Sequence, residues 1–205
     1  MLNQTFLTLI QNYTTNNPLA NNLWTEIETS YSTKKRHYHT LAHLESLLTQ
    51  LTPIKDQIKN WDTVLFTLFF HDIVYNSLKK DNEEKSAALA ESRLKSIAVP
   101  QSIIDHCKAQ ILATQQHLPS QDTDTNYFTD ADLSILGADW ETYSGYSKQV
   151  RKEYSTYPAL IYNPGRKKVL EHFLKMERIF KTDYFFTKFE RQAKENLRKE
   201  LEAFL

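Results

Sequence analysis

The chain has 205 residues and balances 25 Lys+Arg against 25 Asp+Glu, which argues against a general nucleic-acid binder, whose face would be basic. A lone cysteine, Cys107, excludes an internal disulfide and a cysteine-based zinc site. Three glycines, against 11 Phe, 11 Tyr and 3 Trp, exclude glycine-rich phosphate loops and disfavour an all-β fold.

The first residues, MLNQTFLTLIQNYTT, lack a cationic segment followed by a long apolar run, so no signal peptide is expected. No window approaches about 18 uninterrupted apolar residues, so no membrane span is expected and a cytoplasmic location is. Pro18 to Tyr31 reads as a helix opened by proline, with Leu19, Leu23, Trp24 and Ile27 at helical spacing. Thr40 to Leu51 repeats leucines at 41, 44, 47, 48 and 51. Trp61 to Tyr75 is apolar on nearly every side, the pattern of a central buried helix. Asp81 and Glu84 have capping-box spacing ahead of the next helix. Pro100 opens another, through Ile103, Ile104, Cys107, Ile111 and Leu112. Residues 117–126 (HLPSQDTDTN) read as a loop. Phe128 to Leu136 and Trp140 to Tyr157 read as helices, Asn163-Pro164-Gly165 as a break, and the remainder as helical. The expectation is a single all-α domain over residues 1–205, with a core over about 20–160 and a C-terminal helical extension over about 164–205.

The balanced charge hides an asymmetry. Residues 60–147 hold 6 basic and 13 acidic side chains, whereas residues 148–205 hold 14 basic and 8 acidic ones. Many of the latter fall into i,i+4 pairs (Glu171/Lys175, Glu177/Lys181, Glu190/Lys194, Glu195/Lys199), as on a solvated helix surface.

Four places carry chemistry. His39 and His43 are four apart and share a face if one helix includes both. His71-Asp72 closes an apolar stretch, where an imidazole and a carboxylate are costly to bury without partners. A divalent metal satisfies both. Asp130 and Asp132 sit among Phe128, Leu133, Ile135 and Leu136, and His117 ends the helix from Pro100. His106 is 11 residues from His117, which is about 16 Å at about 1.5 Å per residue, so one metal cannot take both. Bundle cores are a common place to gather such ligands from separate helices.

The order His43, His71-Asp72, Asp132, with the contexts RHYHTLAHL, LFFHDIVYN, DNEEKSA, ILATQQH and DADLSILG, resembles the HD superfamily of metal-dependent phosphohydrolases, over most of the chain from about residue 20. The resemblance implies an all-α fold, a divalent metal and hydrolysis of a phosphate ester, often of a nucleotide. By position, His43, His71, Asp72 and Asp132 match the metal ligands, with Asp130 competing for the last place. His39 then stands as second-layer support or a phosphate contact, and His117 resembles the extra histidines that hold a second metal. The mixed nitrogen–oxygen set suits Mn, Fe, Co, Ni or Zn better than Ca, with Mg the remaining candidate.

Phosphoryl transfer also requires a cation beside the metal, for which Arg36, Lys79, Lys80, Arg151 and Arg166 are candidates, with Arg151 and Arg166 favoured. Glu83 is a candidate acid or base, or else a first-turn carboxylate stabilised by the helix dipole. Several tyrosines (143, 146, 154, 157, 162) are as suited to packing as to stacking on a base. The expected partner is a small phosphorylated substrate, without membrane or general nucleic-acid binding, and a homo-oligomer is compatible with the reading. The competing function is a regulatory module that holds metal and a nucleotide or metabolite without turning it over.

Overall fold

The computed structural model describes residues 1–204. Ten α-helices and two 3₁₀ turns make up the regular structure, with no strand among the described residues. The all-α expectation holds. The chain divides into two compact units, residues 1–129 and 130–205, and the division falls inside a continuous helix.

The first unit holds α1 (Leu2–Gln11), α2 (Asn17–Tyr31), α3 (Leu41–Leu51), a 3₁₀ turn (Thr52–Gln57), α4 (Trp61–Phe70), α5 (Asn82–Ser96), α6 (Gln101–Ala113) and the start of α7 (Thr123–Leu133). Helix α4 is its axis: every residue from Thr63 to Phe70 is buried, and α1, α3, α5 and α6 all pack on it. Phe69 meets Phe6 edge-on with centroids 5.0 Å apart and Trp24 at 6.4 Å. Each such aromatic contributes about 1.5–3 kcal/mol by leaving water. The start of α4 is fixed twice. The Asn60 side chain accepts from Thr63 N at 3.0 Å, and the Asp124 carboxylate of α7 accepts from Lys59 N (3.0 Å) and Asn60 N (2.8 Å).

The end of α4 differs from the reading to Tyr75. The helix stops at Phe70 because tertiary partners take the next backbone groups. Asp72 N donates to Tyr31 Oη (3.2 Å) and Val74 N to Ser86 Oγ (3.1 Å), while the carbonyls of Asp72 and Ile73 accept from Arg36. The result is a turn that leaves the helix after its cap residue His71 and sets Asp72 beside it. Three further boundaries moved. Helix α7 begins at Thr123, inside the stretch read as a loop, and ends at Leu133. Helix α8 ends at Glu153, short of Tyr157. The capping box at the head of α5 does not form: Asp81 makes no side-chain cap bond but pairs with Lys85 at 2.8 Å, and Glu84 accepts from Gln115.

The second unit holds the end of α7, a 3₁₀ turn (Ser134–Gly137), α8 (Trp140–Glu153), α9 (Ala159–Lys175) and α10 (Asp183–Glu202). Helix α10 packs on the 3₁₀ turn and on α9. A Cβ at Gly137 would lie 2.5 Å from Phe189 Cβ and 2.6 Å from its carbonyl oxygen, so only glycine permits this approach. Two buried carboxylates secure the segment before α10. Glu190 accepts from Ile179 N and Phe180 N, and Asp130 accepts from Lys181 N (2.9 Å), Thr182 N (2.7 Å) and Thr182 Oγ1 (2.7 Å). The break read at 163–165 is absent: α9 runs through Pro164. The ring leaves the carbonyl four residues back, that of Leu160, without its helical donor. Leu160 is 86% exposed, so the missing bond falls at the surface, where such a loss costs least.

Candidate metal centre

His43 lies in the first turn of α3 and is 5% exposed; His71 follows α4 directly and is 1% exposed. Their Nε2 atoms face each other at 3.2 Å. His71 Nδ1 lies 3.0 Å from the Leu68 carbonyl oxygen. A carbonyl only accepts, so Nδ1 carries the hydrogen and Nε2 presents its lone pair to His43. Phe128 of α7 packs edge-on against the His71 ring at 5.5 Å. Asp132 comes four residues later on the same helix and therefore on the same face. The result is a three-donor group, His43, His71 and Asp132, whose ligand atoms all lie within 4.8 Å of one another.

The donor set fits a metal ion. Two nitrogens each about 2.1 Å from one ion at ordinary bond angles stand about 3.0–3.4 Å apart, which matches the 3.2 Å observed. Asp72 borders the group without completing it: its Oδ2 lies 3.3 Å from His71 Nε2 and 3.8 Å from His39 Nε2. Of the four ligands expected, three converge and the fourth stands beside His71.

Asp130, the competing last ligand, is corrected. Its oxygens are committed to Lys181 and Thr182, and Lys181 Nζ lies 3.3 Å away. Asp132 is the residue turned to the histidines. His39 precedes α3 rather than joining it, so the helical pairing with His43 does not arise. Its ring packs against Tyr75 at 4.3 Å, meets the His43 ring edge-on at 5.8 Å and faces Asp72.

Arg36 is buried and fully used. Nη1 donates to the carbonyls of His39 (3.2 Å) and Asp72 (2.7 Å), Nη2 to that of Ile73 (2.9 Å), and the guanidinium lies over Tyr31 at 4.7 Å. It holds the His71-Asp72 turn in place rather than reaching for phosphate. Lys79 and Lys80 are exposed. Arg166, expected at phosphate, instead gives both ends of its fork to Glu200 at 2.8 Å each. Arg151 donates to the carbonyls of Tyr154 (2.9 Å) and Tyr157 (3.1 Å) and stacks on Tyr162 at 4.5 Å.

Glu83, in the first turn of α5, is half-buried. Burial is the main cause that pushes its carboxyl above the usual value; a hydrogen bond from its own backbone N–H opposes this, and the charges of Asp72 and Glu84 add to it. His117 also acts on Glu83 electrostatically. It lies four residues past the end of α6, at φ 53°, a left-handed conformation uncommon outside glycine.

Sequence reasoning missed three contributors. Tyr31 ties the Asp72 backbone to α2, and Phe128 sets the face of α7. Lys181 is a buried ammonium near Asp130 that also feels the charge of Asp132; desolvation lowers its pKa against the pull of these carboxylates. A lysine placed by a tertiary fold leaves no periodic signal, and its i,i+4 partner, Glu177, pointed to a surface helix that does not exist there. No helix is long and apolar enough to cross a membrane among the described residues. Comparison with family models, curated proteins and solved structures found no match to this chain.

Proposed function

We propose that the chain is a metal-dependent phosphohydrolase of the HD type, acting on a phosphate ester such as a nucleotide or a related small metabolite. The observation that carries the reading is the facing pair of buried imidazole Nε2 atoms 3.2 Å apart, with the partly buried Asp132 carboxylate completing a three-donor group. The order of His43, His71-Asp72 and Asp132 along the chain, which resembles the HD signature, supports it.

When bound, a divalent ion supplies Lewis acidity and neutralises phosphoryl charge. The chain's own residues do the rest. The Leu68 carbonyl fixes the His71 tautomer, and Arg36 with Tyr31 holds the turn that follows. Asp72 and His39 line one side of the donor group, where a carboxylate and an imidazole accept and donate hydrogen bonds. Glu83, whose carboxyl is raised chiefly by burial, is the residue suited to pass a proton to a leaving oxygen.

The test is direct. Protein purified without added metal is assayed for metal content. Phosphate release is then measured across nucleotides and phosphomonoesters with Mn²⁺, Co²⁺, Ni²⁺ and Mg²⁺. Metal-dependent release from one substrate class, lost in His43→Gln, is the expected result. Absence of bound metal under every condition overturns the reading. Metal without turnover on any substrate turns it into a non-catalytic binding module.

A further inference from the structure

The second unit carries a concavity of about 560 Å³, lined by Lys148, Arg151 and Lys152 of α8, Tyr162 of α9, Glu200 of α10 and Phe204 beyond it. That volume lies within the range of small-molecule sites, about 300–1,000 Å³. Its lining combines three cations with two aromatic rings.

The three cations fall at i, i+3 and i+4 and so share one face of α8. The positions one turn away are Ser144, Gly145, Ser147, Gln149, Tyr154, Ser155 and Thr156, none of them acidic. No carboxylate stands one helical turn from them on their own helix. The one carboxylate in the lining, Glu200, is already matched by the Arg166 fork and by donors from Tyr143 and Ser147. The wall is therefore positive. The dipole at the C-terminus of α8 favours cations there and accounts for Arg151 and Lys152 in the last turn. It accounts neither for Lys148, a turn earlier, nor for the concavity they border.

Arg151 is held ready. Two carbonyls fix its guanidinium and the Tyr162 ring lies under its face at 4.5 Å. A cation fixed beside an aromatic wall loses little side-chain freedom on meeting a ligand.

We propose that this concavity binds a small aromatic anion carrying a phosphate- or phosphonate-like group, the anion on the α8 cations and the ring against Tyr162 and Phe204. The site is independent of the metal centre. A probe without an ester bond separates it from any hydrolysis.

Phenylphosphonate is titrated into the full-length ¹⁵N-labelled protein in the presence of chelator. Expected are saturable amide shifts concentrated at residues 147–152 and 162–163. Methylphosphonate, which lacks the ring, and benzyl alcohol, which lacks the charge, should bind about tenfold more weakly or worse. The exposed pair Lys148→Gln/Lys152→Gln should weaken phenylphosphonate about tenfold or more, whereas His43→Gln should leave it unchanged. No saturable shift at millimolar probe, shifts concentrated elsewhere, or equal affinity in the double variant overturns the proposal. Metal content of the same samples, read before chelation, reports on the metal centre separately.

Discussion

Glu200→Gln probes the most deeply committed charge in the second unit. The Arg166 and Glu200 side chains are 7% and 9% exposed and meet in a parallel fork, Nε to Oε1 and Nη2 to Oε2 at 2.8 Å each. Tyr143 Oη and Ser147 Oγ donate to the same carboxylate, and the Tyr146 ring lies 5.5 Å from the guanidinium. Glutamine keeps the volume but replaces one acceptor oxygen with an N–H donor that faces an arginine N–H. It leaves a buried guanidinium without its counter-charge, at a cost of about 3–5 kcal/mol. The pH dependence has a definite sign. Burial alone would raise the Glu200 carboxyl, but its hydrogen bonds and the Arg166 charge outweigh that and hold it below the usual value, while Arg166 is held charged. The contribution is therefore full above the unfolded carboxyl pKa of about 4.3 and is lost as pH falls through the lower folded value. Urea denaturation at pH 7 and in acid, with amide exchange resolved for α8 to α10, measures both effects. The deficit should be large at pH 7 and shrink in acid, and Arg166→Met/Glu200→Leu should recover most of it. A loss of less than about 1 kcal/mol, the scale of an exposed pair, or an equal deficit in acid, refutes the reasoning.

Asp132→Asn should reduce metal uptake about tenfold or more while the fold persists; Asp130→Asn should leave uptake intact but lower stability by about 1.5–3 kcal/mol through its bonds to Lys181 and Thr182. Elemental analysis and denaturation of the two proteins compare them, and the reverse pattern would exchange the roles of the two aspartates. Arg36→Lys keeps the charge but cannot reach three carbonyls in a fork, so it should weaken both stability and metal affinity; calorimetric metal titration reads this, and parent-like affinity counts against Arg36 as the clamp of the turn. On an active substrate, Glu83→Gln should lower kcat about 10²-fold or more with metal content unchanged and remove one limb of the pH–rate profile; an unchanged profile excludes Glu83 from proton transfer.

The residues of α2, α3, α4 and α6 announce their helices through apolar spacing and proline starts, because burial of one face is a local pattern. His43, His71 and the Asp130/Asp132 pair stood out for a similar reason: polar side chains amid apolar neighbours require partners, and His43, His71 and one of the two aspartates lie together. The end of α4 was not legible, since Tyr31, Arg36 and Ser86 take its next backbone groups from distant points in the chain. Nor did sequence decide between Asp130 and Asp132. Two residues apart on one helix, they point about 200° apart around its axis, and only the packing of α7 shows which side carries the histidines and which carries Lys181 and Thr182. Arg166 makes the same point about charge. Its sequence position called for an anion, and tertiary structure supplied Glu200, 34 residues away, from inside the protein. Local patterns fix which side chains need a partner; the fold decides who the partner is, because that depends on distances the chain's order does not contain.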